Sequence, residues 1–121
     1  MLFRSPDPAQ VTTARDMAIL ARALQTRFPG HYAVFSRREI AWDGRTHDST
    51  NKLLGLVDGV DGIKTGYIRA SGYNLAASAR RGGDRVIVVV MGGRSGDARD
   101  AEVAALIDEY LPERSFFLAW R

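Results

Sequence analysis

The chain has no cysteine, two lysines, four prolines and no long apolar run. Without cysteine there can be no disulfide and no thiolate metal ligand, and the redox compartment stays open. The uninterrupted apolar stretch at 86–91 falls far short of the ~18–20 residues that a membrane-spanning helix requires. Met1-Leu2-Phe3-Arg4 is too short and wrongly built for a secretory signal, so no signal peptide is expected in this chain. Because lysine is scarce, arginine carries nearly all of the positive charge behind the formal net +3 and the pI near 9.7. Those arginines are scattered, and no basic block reads as a nucleic-acid arm. A mildly basic surface favours an anionic partner without choosing among cell-wall polymer, nucleic acid and lipid.

What is present fits one soluble α+β unit. A length of 121 residues suits a single domain, or a piece of one, large enough to bury a core. Pro6 and Pro8 make the first ten residues an irregular lead-in. Thr13 and Asp16 then have the spacing of a capping box ahead of a helix from Ala14 to Phe28. Met17, Leu20, Leu24 and Phe28 form its expected apolar face, and Pro29-Gly30 stops it. Tyr32–Phe35 and Glu39–Trp42 read as two strands of a hairpin around Ser36-Arg37-Arg38, closed off by Asp43-Gly44. Residues 45–60 read as a long loop or short helix. Strands are expected over Gly62–Ile68, Tyr73–Ala79 and Arg85–Met91, the last two joined by a glycine-containing turn. The apolar run within the third marks a strand covered on both faces. Ser95 or Asp97 caps a final helix with Val103, Leu106, Ile107, Tyr110 and Leu111 on its face, and Pro112 ends it.

Lys64-Thr65-Gly66 is the segment with chemistry in it. On a strand, Lys64 and Gly66 share a side and Thr65 points away unless the strand twists or bulges. A carboxylate approaching such a strand meets an ammonium, a hydroxyl and open backbone groups together. Gly66 lets a ligand backbone lie close, which suits a peptide terminus added as an extra strand at a sheet edge. A phosphate-binding loop is excluded, since no glycine-rich stretch precedes Lys64 and no helix follows. His31 and His47 have no second ligand at suitable spacing, so no metal site is expected.

Lys-Thr-Gly also belongs to a set of three motifs, with Ser-x-x-Lys and Ser-Asp-Asn, that marks penicillin-binding proteins and serine β-lactamases. The run from Val60 to Tyr67, followed by Ala70 to Ala79, closely resembles the serine D-alanyl-D-alanine carboxypeptidases. The likeness extends back through Asn51-Lys52-Leu53-Leu54 to residues 12–18 and forward through residues 88–93 to Arg99. It implies a partial serine β-lactamase/DD-peptidase-like fold, with an antiparallel sheet flanked by helices. Residues 1–111 would form the C-terminal part of the catalytic domain, and 112–121, with Phe116, Phe117 and Trp120, an aromatic tail.

By resemblance, Lys64 and Thr65 hold the ligand carboxylate, Gly66 gives clearance, and Arg99 near the start of the last helix offers a second cation. Lys52 is a weaker match and Ile68 departs from the common threonine. The implied partners are peptidoglycan stem peptides ending in D-Ala-D-Ala, β-lactams and a missing N-terminal half; no cofactor and no nucleic acid are expected. The implied compartment is the periplasm or cell envelope. No catalytic residue is assigned, because no serine is credited with the lysine one helical turn on that would activate it. Ser49-Thr50-Asn51 has the letters of Ser-x-Asn but sits in a loop matching a later part of the family. Three readings of this chain stay open: a carboxypeptidase piece inactive alone, a non-catalytic peptidoglycan-binding or complementing module, and a serine β-lactamase-like fragment. A truncated or misassigned reading frame would account for the first.

Overall fold

A computed structural model describes residues 6–112, so the expected aromatic tail lies almost wholly outside the described residues. Helix α1 (Ala14–Arg27) starts where the sequence places it. The Thr13 hydroxyl accepts the Asp16 backbone N–H at 3.0 Å, which satisfies one of the orphan donors of the first turn. Asp16 in the first turn and Arg27 in the last both suit the helix dipole. The apolar face differs from expectation. Leu20 and Phe28 are exposed, while Ala21 is the buried residue of the helix and Gln25 faces the sheet. Small and polar side chains line that contact because the sheet presents Ala76 and Ser78 there.

The next segment corrects the hairpin. Pro29 opens a second short helix, α2 (Pro29–Tyr32), at the position where a missing N–H is harmless. A 3-10 turn (Ala33–Ser36) continues it, so Tyr32–Phe35 is helical and not a strand. The real hairpin joins β1 (Glu39–Trp42) to β2 (Arg45–Asp48), an exposed two-stranded ribbon. Asp43 and Gly44 are its turn, with φ of 51° and 70°. Two successive positive φ values make the two-residue connection whose twist matches paired strands. Thus the first residues of the expected 45–60 loop are strand, and the remainder is a series of turns.

The three later strands form as read: β3 (Val60–Ile68), β4 (Gly72–Arg81) and β5 (Asp84–Gly93), antiparallel in the order β3-β4-β5. Helix α3 (Gly96–Tyr110) follows, capped by the Ser95 hydroxyl, which accepts the Ala98 N–H at 3.0 Å. Strand alternation divides the sheet into two faces. Leu75, Ala77, Ala79, Val88 and Val90 pack with Val103, Ile107 and Leu111 of the α3 side, and Leu53 of the preceding turns completes this core. Ala76 and Ser78 face α1. Both helices contact β5, in keeping with its apolar run. Tyr110, expected on the packed face of α3, is exposed, whereas Leu111, expected on the same face, is buried.

Candidate functional site

Strand β3 is an edge strand among the described residues, paired only with β4. Its register sets Lys64 opposite Ala76, Thr65 opposite Leu75 and Gly66 opposite Asn74. Ala76 lies on the α1 face and Leu75 on the α3 face. Lys64 and Gly66 therefore share the α1 side and Thr65 takes the other, as strand alternation requires.

Lys64 is exposed, and no carboxylate among the described residues pairs with it. Its ammonium instead donates to the Thr65 carbonyl at 2.5 Å. The Thr65 hydroxyl shares a 2.6 Å hydrogen bond with the Thr50 hydroxyl. Thr50 comes from the turns after β2, and the sequence reading gave it no role, since a lone loop threonine carries no signal. A cleft of about 270 Å³ borders these groups, lined by Thr50, Asn51, Ile63, Lys64 and Thr65 together with the 3-10 turn and the ribbon. Around Gly66 the space is open, and an added Cβ would meet no atom of the described residues within 4 Å. Gly62 is the opposite case. A Cβ there would come within 2.8 Å of the Tyr32 hydroxyl and 3.2 Å of Phe35 Cβ, so a larger residue would have to displace them.

Arg99 is buried, at 7% exposure, and is no surface charge. Its Nε donates to Asp100 Oδ1 at 3.0 Å and its Nη1 to the Asn74 carbonyl at 3.3 Å. Asn74 is the residue opposite Gly66, so Arg99 stands one strand behind the edge. The Asn74 side chain donates to Ser71 Oγ and accepts the Gly92 N–H at 2.9 Å, bridging the register shift between Tyr73 and Leu75.

The serines need one correction. Ser49 is followed by Asn51 and also by Lys52, so the letters of both absent motifs overlap there. The sequence reading missed the lysine. In the structure this stretch is irregular, with no helical turn to stack Lys52 beneath Ser49. Ser49 Oγ accepts the Asn51 N–H at 3.1 Å, a local turn contact. Asn51 is buried and its side-chain oxygen accepts the Leu53 N–H at 3.2 Å, so it shapes the turn.

Near the start of β3, Asp61 joins a polar bracket. Asp61 accepts from the Tyr32 hydroxyl at 3.0 Å and from Arg85 Nη1 at 2.9 and 3.1 Å. Arg85 Nη1 also donates to the fully buried Ser78 hydroxyl at 2.7 Å, and Gln25 donates to the same oxygen at 2.8 Å. The Arg85 guanidinium lies 5.5 Å from the Tyr32 ring centroid. Burial raises the Tyr32 hydroxyl above its ordinary pKa; the Asp61 charge adds to this, while Gln25 and Ser78 pull the other way.

Three comparisons bear on this arrangement. The sequence profile of a D-alanyl-D-alanine carboxypeptidase family matches residues 6–95. D-alanyl-D-alanine carboxypeptidase DacD of Escherichia coli strain K12 is 40% identical over 101 residues, which cover 83% of this chain and 26% of that protein. Among solved structures, penicillin-binding protein 5 from Haemophilus influenzae superposes with a TM-score of 0.82 at 34% identity, covering 87% of this chain and 31% of that one. Penicillin-binding protein D2 from Listeria monocytogenes, in its ampicillin-bound form, gives a TM-score of 0.75 at 31% identity, covering 86% and 45%. The chain spans about a quarter of the length of the curated relatives it matches.

Proposed function

The chain belongs to the D-alanyl-D-alanine carboxypeptidase family, and we propose that it supplies the carboxylate-gripping strand of such an enzyme. The reaction is removal of the terminal D-alanine from peptidoglycan stem peptides at the cell envelope, through a serine acyl-enzyme. The observation that carries this reading is the edge strand itself, with a Lys64 ammonium that pairs with no carboxylate among the described residues, a hydroxyl at Thr65 and open space at Gly66. An extended peptide laid along that edge gains backbone hydrogen bonds. Its terminal carboxylate gains charge-assisted contacts, the stronger kind.

Each group has a separate task. The Lys64 ammonium would leave the Thr65 carbonyl for a carboxylate, a better acceptor. The Thr65 hydroxyl can donate to the ligand only while it accepts from Thr50, so Thr50 sets the direction of that proton. Arg99 would be the second cation: its guanidinium already reaches the backbone opposite Gly66, and a ligand carboxylate there would compete with Asp100 for it. A β-lactam carboxylate fits the same grip, a reading that the ampicillin-bound relative supports.

Acyl transfer also needs an activated nucleophile, and none of the seven serines of this chain is assigned that role. The 121-residue chain is expected to bind without reacting. The test is incubation with a fluorescent penicillin followed by denaturing electrophoresis, with Ser49→Ala as control. No covalent band is expected. A stoichiometric band in the parent chain that vanishes in Ser49→Ala would overturn the non-catalytic half of the proposal. Mixing the chain with a polypeptide carrying the family's Ser-x-x-Lys and Ser-x-Asn segments then separates a complementing module from an inert one. Restored labelling is the expected result.

A further inference from the structure

The grip depends on which way Lys64 faces, and that depends on one extra residue. Val60 stands opposite Ala79, yet Gly62 stands opposite Ser78, so β3 spends two steps where β4 spends one. Asp61 is the inserted residue of a β-bulge. Continued without the bulge, the ladder from Val60 would set Lys64 opposite Leu75, and Thr65 would move to the α1 side. A one-residue slip in register exchanges the faces of every side chain that follows.

The bracket described above acts on this point. Tyr32 and Arg85 hold the carboxylate of the inserted residue, and the same Arg85 nitrogen holds Ser78, the partner of Gly62. Gln25 fixes Ser78 from α1. Three elements, α1, α2 and β5, thus grip the inserted residue and the strand partner of the residue after it. A slip would put Asp61 in the place of Gly62, opposite Ser78, where a Cβ comes within 2.8 Å of the Tyr32 hydroxyl and 3.2 Å of Phe35 Cβ. It would also disturb the carboxylate that the Tyr32 hydroxyl and the Arg85 guanidinium now share, while Ser78 keeps Gln25 and Arg85. The observed register keeps Gly62, which has no Cβ, at that crowded step.

We propose that Tyr32, Asp61 and Arg85 form a register lock, which decides that Lys64 and not Thr65 stands on the α1 face of the edge strand. They are positioning residues that act on a ligand only through Lys64 and Thr65. The functional side of this inference rests on the carboxylate-gripping reading; the structural side does not.

The test uses the isotope-labelled chain and cross-strand proton contacts by NMR. The parent chain is expected to show Lys64–Ala76 and Gly66–Asn74 contacts. In Asp61→Ala and in Arg85→Ala a second set, including Lys64–Leu75, is expected beside the first or in its place. Deleting Asp61 gives a straight ladder that keeps Lys64 opposite Ala76, so this variant is expected to retain the parent contacts although the lock is gone. Folded Asp61→Ala and Arg85→Ala chains with only the parent contacts would overturn the proposal. So would loss of the fold in the milder Asp61→Asn as well, because the bracket would then hold the whole domain and not the register. Titration with diacetyl-L-Lys-D-Ala-D-Ala separates the two readings. If the register slips as expected but the peptide never shifts the Lys64–Gly66 amides of the parent chain, the gripping role fails and the lock stands.

Discussion

At the scale of single residues, the candidate site divides into groups that the proposed function sets against a ligand and groups that only hold them. Lys64 is exposed and, among the described residues, bonded only to a neighbouring carbonyl, so Lys64→Gln is expected to leave the thermal midpoint unchanged. Peptide affinity is expected to fall roughly 10- to 100-fold, the equivalent of ~1.5–3 kcal/mol for a hydrogen bond to a charged group. Chemical-shift titration with diacetyl-L-Lys-D-Ala-D-Ala checks it. Tyr32 gives a pH dependence whose sign is fixed. Its folded-state pKa is raised, so above about pH 10 the unfolded chain releases the proton before the folded one does. Stability from this source is intact below that pH and is lost as pH rises toward the folded-state value. Urea midpoints measured from pH 8 to 11 are expected to fall more steeply in the parent chain than in Tyr32→Phe. Lys64, Thr65 and Gly66 were legible as candidates because a motif names them. Thr50, Tyr32 and Arg85 were not, since their relevance comes from partners 15, 29 and 24 residues away in sequence.

At the scale of elements, local chemistry was legible wherever it decided the outcome. The Thr13 and Ser95 caps, the apolar run of β5 and the β4–β5 turn follow directly from residue type. The first hairpin was misread because Tyr32–Phe35 has strand-like residues, while Pro29 at a helix start and the Asp43-Gly44 pair carry the stronger signals. The turn is testable. With φ at +70°, Gly44 tolerates a branched side chain poorly, and Gly44→Val is expected to lower stability by about 1–2 kcal/mol. Gly66→Ala, in open space, is expected to be neutral. Urea unfolding of both variants makes the comparison. The faces of α1 and α3 were legible only in part. Periodicity identifies an apolar stripe but not its partner, and Leu20, Phe28 and Tyr110 have no packing partner among the described residues that buries them.

At the scale of the molecule, the described residues form one core between β4, β5 and α3, with α1 across the sheet and an exposed ribbon beside it. Among the described residues the sheet has two open edges, β3 and β5. The β5 edge is apolar, β-branched and free of proline, the composition that promotes pairing between chains. The 121-residue chain is therefore expected to self-associate with rising concentration. Met91→Lys, at an exposed position on β5, is expected to shift sedimentation profiles toward the monomer. That edge could not be foreseen strand by strand, because pairing order depends on contacts distant in sequence.

The division of Lys64 and Thr65 between opposite faces of one strand also bears on handedness. A carboxylate that touches both must lie along the rim of the sheet and not on either surface. A ligand seated there has two unlike flanks, an ammonium on one and a hydroxyl pair on the other. The methyl group on its terminal α-carbon points toward one flank in one enantiomer and toward the other flank in its mirror image. An edge-on grip can therefore tell mirror-image residues apart by where the methyl falls, using no pocket shaped for the methyl itself.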